Sequence, residues 1–336
     1  MRSMVVRTPG SPLVLEDREP PRPLRGQLRI RVHACGVCHS DHFVTDGLWP
    51  GLELPRVPGH EVAGVVDALG EGVEEFRVGD RVGLGWHGGH DGTCDICLTG
   101  RFIHCRNSRI TGISFDGGYQ EYLVAPAVAA ARMPEGLDFP EAAPLMCAGV
   151  TTFNALRHSG ARPGDLVAVQ GLGGLGHLGV QYARAMGFEV VAISRGADKE
   201  AFARKLGAHH YVDSGRGDFA EVMARLGGAK VILATAPHAP SISALIAGLG
   251  LEGCLLIVAA PFEPLQIGAI DLIRLDARVQ GWSSGTAADS TDAMAFAAKH
   301  GVRPMVERFP LSDASRAVEA MMKGTVRFRA VLETGR

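Results

Sequence analysis

Cys38, in Gly36-Val37-Cys38-His39-Ser40-Asp41, His60, in Pro58-Gly59-His60-Glu61, and Cys147, in Met146-Cys147-Ala148, are the residues of this chain whose types promise chemistry. Two soft thiolates and an imidazole are a donor set that Zn²⁺ favours. Each donor comes from a different, distant segment, and three protein ligands leave a fourth position for water or substrate. Structural zinc sites usually close with four local ligands. Taken singly, a cysteine reads as a small buried hydrophobe and a histidine as an ordinary core residue. The three together, flanked by glycines, predict an open metal site of the catalytic kind. Asp91-x2-Cys94-x2-Cys97-x7-Cys105 is a second run with metal-like spacing.

Gly171-Leu172-Gly173-Gly174-Leu175-Gly176 is the third feature. A lone G-x-G-x-x-G is weak, but this one follows the apolar strand Leu166–Gln170 and precedes a helical stretch, His177–Met186, and a second strand, Glu189–Ile193. In that setting it predicts a dinucleotide fold. Gly171 permits the tight turn, Gly173 and Gly174 let backbone approach a pyrophosphate, and Gly176 lets helix and strand pack closely. The N–H groups from Leu175 onward face the phosphates. The end of the second strand decides the cofactor. An NAD enzyme places Asp or Glu there, on the ribose hydroxyls; this chain has Ser194-Arg195-Gly196, with Lys199 close behind. A hydroxyl, a guanidinium and no repelling carboxylate suit a 2′-phosphate, so NADP(H) is the expected cofactor. The alternative is that Arg195 stacks on the adenine and NAD(H) is used.

The elements that position these groups read as follows. Leu13–Glu16, Leu28–Ala34, Glu61–Leu69 and Val78–Val82 are short strands broken by Gly and Pro, which suggests a β-rich domain. After Cys147 the pattern changes. Val150–Leu156 reads as helix, and Lys230–Ala236 and Gly253–Val258 as buried strands of a parallel sheet covered on both faces. Val279–Trp282 is a strand, Thr291–His300 and Asp313–Met322 are helices, and Val326–Leu332 is a last strand that returns to the first domain. His33 and the His209-His210 pair are read as structural, and Cys254 as inert core.

Gly59-His60-Glu61-x2-Gly64-x5-Gly70-x2-Val73, with the Cys38 motif and Ala143-Pro144-Leu145-Met146-Cys147-Ala148-Gly149, resembles the landmarks of zinc-dependent alcohol dehydrogenases of the medium-chain dehydrogenase/reductase superfamily. The resemblance covers essentially the whole chain. It implies an α/β protein: a GroES-like β-rich catalytic domain over 1–148 and 284–336, and a doubly wound Rossmann domain over 149–283. It implies that Cys38, His60 and Cys147 hold a catalytic zinc, and that Glu61, behind the metal, can swing in as a further ligand. Ser40 would bond the substrate oxygen and pass its proton outward, and Asp41 would orient His60; Asp41 also reads as a helix cap or turn carboxylate. Many relatives carry a histidine five residues after the first zinc cysteine, as the outer end of the proton relay. Here Phe43 stands there, with His42 one place earlier. His39 matches a basic position facing the cofactor pyrophosphate. Trp49 and Trp86 match aromatic walls of the substrate pocket, with plain core packing as the alternative. Arg329 aligns with an arginine that reaches the cofactor phosphates; otherwise it is an exposed strand charge.

Relatives carry four cysteines where this chain has Asp91, Cys94, Cys97 and Cys105. A carboxylate is an acceptable zinc donor, so a second, structural zinc is expected, giving two per chain. His90 or, less well placed, His104 is a substitute donor, and a degenerate empty site is the alternative.

The resemblance implies hydride transfer between an alcohol or aldehyde and the nicotinamide, in a cleft between the domains. Two indoles beside the metal favour small or aromatic primary alcohols. A polyol or amino-alcohol dehydrogenase of the same fold, or a non-catalytic redox sensor, is the rival reading; a sensor need not keep all three zinc donors. Relatives are homodimers or homotetramers. A net charge of −2 gives no reason to expect nucleic acid or an anionic membrane as partner. Seven cysteines, an odd number at metal-like spacings, do not suggest a disulfide framework. No apolar leader or stretch of roughly 18 apolar residues is visible, so a cytoplasmic enzyme is expected.

Overall fold

Arg2–Val5 (β1) and Val14–Asp17 (β2) pair as an antiparallel ribbon. Gln27–Gly36 (β3) follows, the strand on which the zinc-ligand segments are hung. Its alternation is of period two: Leu28, Ile30, Val32 and Ala34 are fully or almost fully buried, with Arg29, Arg31 and His33 on the other face. Glu61–Leu69 (β4), Arg81–Leu84 (β5), Tyr122–Pro126 (β6) and Ala130–Arg132 (β7) continue the antiparallel pattern. The predicted strand over 78–82 begins only at Arg81, because Val78 is 65% exposed and Gly79 takes a left-handed turn at φ +98°. The described residues of this computed structural model are 1–335.

The second unit, Thr151–Ser283, is built differently. Leu166–Gln170 (β8), Glu189–Ser194 (β9), His210–Asp213 (β10), Ala229–Ala234 (β11), Leu249–Ile257 (β12) and Arg278–Gly281 (β13) form one parallel sheet in the order β10-β9-β8-β11-β12-β13. The chain runs outward from β8 to β10, then returns to β11 and runs the other way. The switch point therefore lies between β8 and β11, where such sheets open a crevice for ligands beyond the carboxyl ends of the strands. Leu166 to Val169 and Val231 to Ala234 are buried on both faces, which accounts for their unbroken apolar runs.

From Ser284 the chain rejoins the first unit, which otherwise spans Met1–Val150. The helix Ala287–His300 starts four residues before its expected beginning, because Thr286 and Asp289 form a capping box. Val306–Pro310 (β14) runs parallel to Arg329–Glu333 (β15), and β15 pairs antiparallel with β3, completing the order β14-β15-β3-β4-β5-β7. The last strand is shorter than expected. Arg327 N–H donates to Glu307 and Phe328 N–H to the Met305 carbonyl, so the ladder begins only at Arg329. No helix among the described residues is long and apolar enough to cross a membrane.

Candidate metal and cofactor sites

Cys38 stands just beyond β3, where Val37 N–H donates to the Ala330 carbonyl and pins the loop to the last strand. His60 immediately precedes β4 and Glu61 opens it. Cys147 lies in a π-helical turn, Leu145–Gly149, reached through the helix Phe139–Pro144 that packs on β3 and β4. The turn can close on β5 because position 83 is glycine: a Cβ there would collide with the Met146 sulfur. Cys38 Sγ and Cys147 Sγ are 3.9 Å apart. Ligand atoms of Cys38, His60, Glu61 and Cys147 all lie within 4.8 Å of one another.

The arrangement fits a cation. His60 is 2% exposed, and its Nε2 and Glu61 Oε2 are buried without a hydrogen-bond partner. Orphaned polar atoms are rare in folded proteins, and two of them beside two sulfurs form an incomplete coordination shell. Asp41 Oδ1 accepts from His60 Nδ1 at 3.0 Å, which leaves Nε2 as the ligating nitrogen. Asp41 Oδ2 accepts from the Cys38 N–H at 2.9 Å and from the Tyr119 hydroxyl at 2.8 Å. Asp41 is also the N-cap of the short helix His42–Thr45. Without metal the donors share protons. The hydrogen bond from Cys147 holds the Cys38 thiol well below its ordinary range, and giving that bond holds Cys147 above it. Burial pulls the His60 imidazolium down, but Asp41 and Cys38 outweigh it and hold it well above its ordinary value. A metal must displace those protons.

Glu61 is completely buried and forms an ion pair with Arg329, itself 5% exposed, at the start of β15. Burial pushes the Glu61 carboxyl up to about 7, although Arg329 pulls the other way. Arg329 is thus no exposed strand charge. His39 is exposed and Ser40 half-buried, in the turn His39–Asp41. His42 lies with its ring centroid 4.9 Å from that of His39, its Nδ1 2.5 Å from the His39 carbonyl oxygen. Phe43 turns edge-on to Trp49 at 5.7 Å. Trp49 meets Trp86 at 5.9 Å, and Trp86 stands perpendicular to the His60 ring at 4.9 Å. These rings pack on a small apolar cluster of Val6, Val44 and Ile113, so the indoles both fill a core and flank a donor.

Asp91, Cys94, Cys97 and Cys105 converge within the same 4.8 Å limit. Asp91 Oδ1 accepts from the N–H groups of Thr93 and Cys94, and Oδ2 from Asn107 Nδ2 at 2.6 Å. Those bonds hold its carboxyl below the usual carboxylate range. Cys105 Sγ accepts from the N–H groups of Asp91 and Asn107. Three sulfurs and an ionised oxygen are a closed zinc donor set. His90 is outside it, stacked on Phe102 at 4.3 Å and 3.2 Å from His87 Nε2; His104 is outside it too.

In the second unit Gly171 ends β8 at φ +94°, and a Cβ on Gly176 would collide with the Gly171 carbonyl, so both glycines are obligatory there. Gly173 is open on the side where a Cβ would stand. The helix Gly176–Ala185 starts without a side-chain cap, leaving room for an anion at its N-terminus. Ser194 ends β9, Arg195 is exposed, and Lys199 Nζ reaches Ser194 Oγ at 3.5 Å. The nearest carboxylate in register, Asp213 on β10, is occupied: its Oδ1 accepts from the N–H groups of Gly196 and Gly215. His209 Nδ1 accepts from Val190 N–H and His210 pairs with Glu189, so this pair belongs to no cluster of metal ligands among the described residues. Cys254 is buried within β12.

A β-rich unit with two convergent soft-donor clusters and a parallel-sheet unit with a glycine fingerprint define a metal-dependent dehydrogenase of two-domain type. Residues 24–135 match the alcohol dehydrogenase GroES-like domain, and residues 174–299 the zinc-binding dehydrogenase family. The alcohol dehydrogenase patD of Penicillium expansum is 47% identical over 98% of this chain and 97% of its own. Among solved structures, cinnamyl alcohol dehydrogenase of Sorghum bicolor superposes with a TM-score of 0.90 at 33% identity, covering 99% of this chain and 97% of that one. The cobalt- and zinc-bound thermostable alcohol dehydrogenase of Pyrobaculum aerophilum does so with 0.88 at 30%, covering 99% of each. The chain belongs to the zinc-dependent alcohol dehydrogenases of the medium-chain dehydrogenase/reductase superfamily. It is an oxidoreductase of alcohols and aldehydes, with zinc and a nicotinamide cofactor.

Proposed function

We propose that this enzyme transfers a hydride between a small or aromatic primary alcohol and NADP(H), at a zinc held by Cys38, His60 and Cys147. The observation that carries the reading is the pair of buried, unpartnered ligand atoms beside the two sulfurs. When bound, zinc supplies Lewis-acid stabilisation of an alcohol oxygen and the nicotinamide supplies the hydride acceptor. The chain's residues do the rest. Ser40 takes the alcohol proton toward solvent, assisted by His39. Asp41 fixes the His60 tautomer, so that Nε2 faces inward. Glu61, held in reserve by Arg329, is the residue able to enter as a further ligand. Trp86 and Trp49 exclude water and present flat apolar faces, which suit a small or aromatic alcohol better than a polyol.

Ser194, Arg195 and Lys199 at the end of β9 support a 2′-phosphate, since the strand ends in Ser194 where an NAD enzyme places its carboxylate, and Asp213 is engaged by the N–H groups of Gly196 and Gly215. Gly171, Gly173, Gly174, Leu175 and Gly176 are the proposed pyrophosphate cradle. Arg195→Ala is expected to lower kcat/KM for NADPH by about 10- to 100-fold, the value of one charge-assisted phosphate contact, and to leave NADH within a few-fold. Steady-state kinetics with both cofactors tests this, and a wild-type preference for NADH overturns it. Asp91, Cys94, Cys97 and Cys105 are proposed to close around a structural zinc. Elemental analysis should then find two zinc ions per chain, falling to one in Cys94→Ser; one in the wild type removes the lobe from the account.

We further infer a homodimer or homotetramer in the cytoplasm. Val279, on the edge strand β13, is 36% exposed, and Ile270 and Ile273, on the preceding helix Ala269–Leu275, are 69% and 70% exposed, apolar surface that a second copy would cover.

A further inference from the structure

Tyr119 is the buried residue for which the chemistry above has no use. It is completely buried, one of the two largest such side chains among the described residues. A tyrosine hydroxyl in a dry interior needs a partner, and this one donates to Asp41 Oδ2 at 2.8 Å. Asp41 is the carboxylate that holds His60 Nδ1 with its other oxygen and the Cys38 N–H with the same one.

The ring and backbone of the same residue hold the other ligand loop. Gly118 N–H donates to the Gly59 carbonyl at 2.9 Å, and Tyr119 N–H to the Pro58 carbonyl at 3.1 Å. Gly59, at φ +101°, lies flat against the Tyr119 ring, where any Cβ would collide with Cδ1. Burial and the charge of Asp41 push the phenol well above its ordinary range, so it remains a donor.

We propose that Tyr119 is the positioning residue that locks the Cys38–Asp41 loop and the Pro58–Glu61 loop into one ligand geometry. Its ring seats the backbone before His60, and its hydroxyl orients the carboxylate that fixes the His60 tautomer and braces the Cys38 amide. Such outer partners are worth about 10- to 100-fold in metal affinity. The proposal rests on the reading that Cys38, His60 and Cys147 bind the metal.

Tyr119→Phe keeps the ring and deletes the hydroxyl. The experiment follows Zn²⁺ release to a chromophoric chelator, and the visible absorption of the Co²⁺-substituted protein, in wild type and variant. Cys147→Ser identifies the component that belongs to this site. The expected result is release about 10-fold or more faster, with a shifted Co²⁺ absorption band. In an Asp41→Ala background the same substitution should change neither, because the hydroxyl acts through that carboxylate. Unchanged release and spectrum in Tyr119→Phe overturn the proposal, as does an equal effect in both backgrounds. A wild-type protein with no metal component sensitive to Cys147→Ser overturns the underlying reading as well.

Discussion

Replacing Cys147 by serine lowers kcat/KM for a primary alcohol by about 10³-fold or more, while the cofactor still binds. The magnitude follows from the chemistry the zinc supplies, a Lewis-acid contribution of several kcal/mol to the charge that develops on the alcohol oxygen, and each 1.36 kcal/mol is a factor of about ten in rate. A hydroxyl in place of a thiolate leaves the set one soft donor short and its neighbour, Cys38 Sγ at 3.9 Å, without its partner. The cofactor cradle, Gly171 to Gly176, belongs to the other compact unit, so titration of NADPH fluorescence should give a Kd close to that of the wild type. Elemental analysis on the same samples should show the loss of one zinc. Full turnover in a protein that has lost that metal would sink the mechanism; loss of cofactor binding would show that the substitution acts through folding.

Arg329→Met is expected to cost about 3–5 kcal/mol of stability, read as a lower urea midpoint. Arg329 and Glu61 are an ion pair with almost no access to water, and removing one partner leaves an uncompensated buried charge. Burial pulls the guanidinium down, but Glu61 and then Cys38 more than offset this and keep it charged. The double variant Glu61→Gln/Arg329→Met should recover most of the loss, since it takes out both charges. A single variant as stable as the wild type would mean that solvent reaches the pair.

The sequence carried the metal trio because two thiols and an imidazole, each within two residues of a glycine, are seldom placed by accident. The β4 boundaries at Glu61 and Leu69 were legible from a β-rich stretch ended by Gly70, and the β8 boundaries at Leu166 and Gln170 from an apolar run ended by Gly171. Other features were not. Val78 has a strand-former's side chain, and the left-handed backbone at Gly79 keeps it out of the regular ladder. Thr286-x2-Asp289 is a capping signal that apolar periodicity overlooks. Tyr119, in Gly117-Gly118-Tyr119-Gln120, looks like any aromatic residue near a strand, and its bond to Asp41 spans 78 residues. The Glu61–Arg329 pair spans 268 residues. Pairings of that range have no local signature.

The sheet of the first unit is threaded from both ends of the chain, with β3 paired to β15 while residues Thr151–Ser283 form a separate unit in between. During synthesis the nucleotide-binding half can therefore acquire its fold while its predecessor still waits, with β3 lacking one neighbour and the Glu61 carboxylate lacking its cation, until the final strand leaves the ribosome. Metal capture by the nascent chain before that moment would meet a half-built pocket.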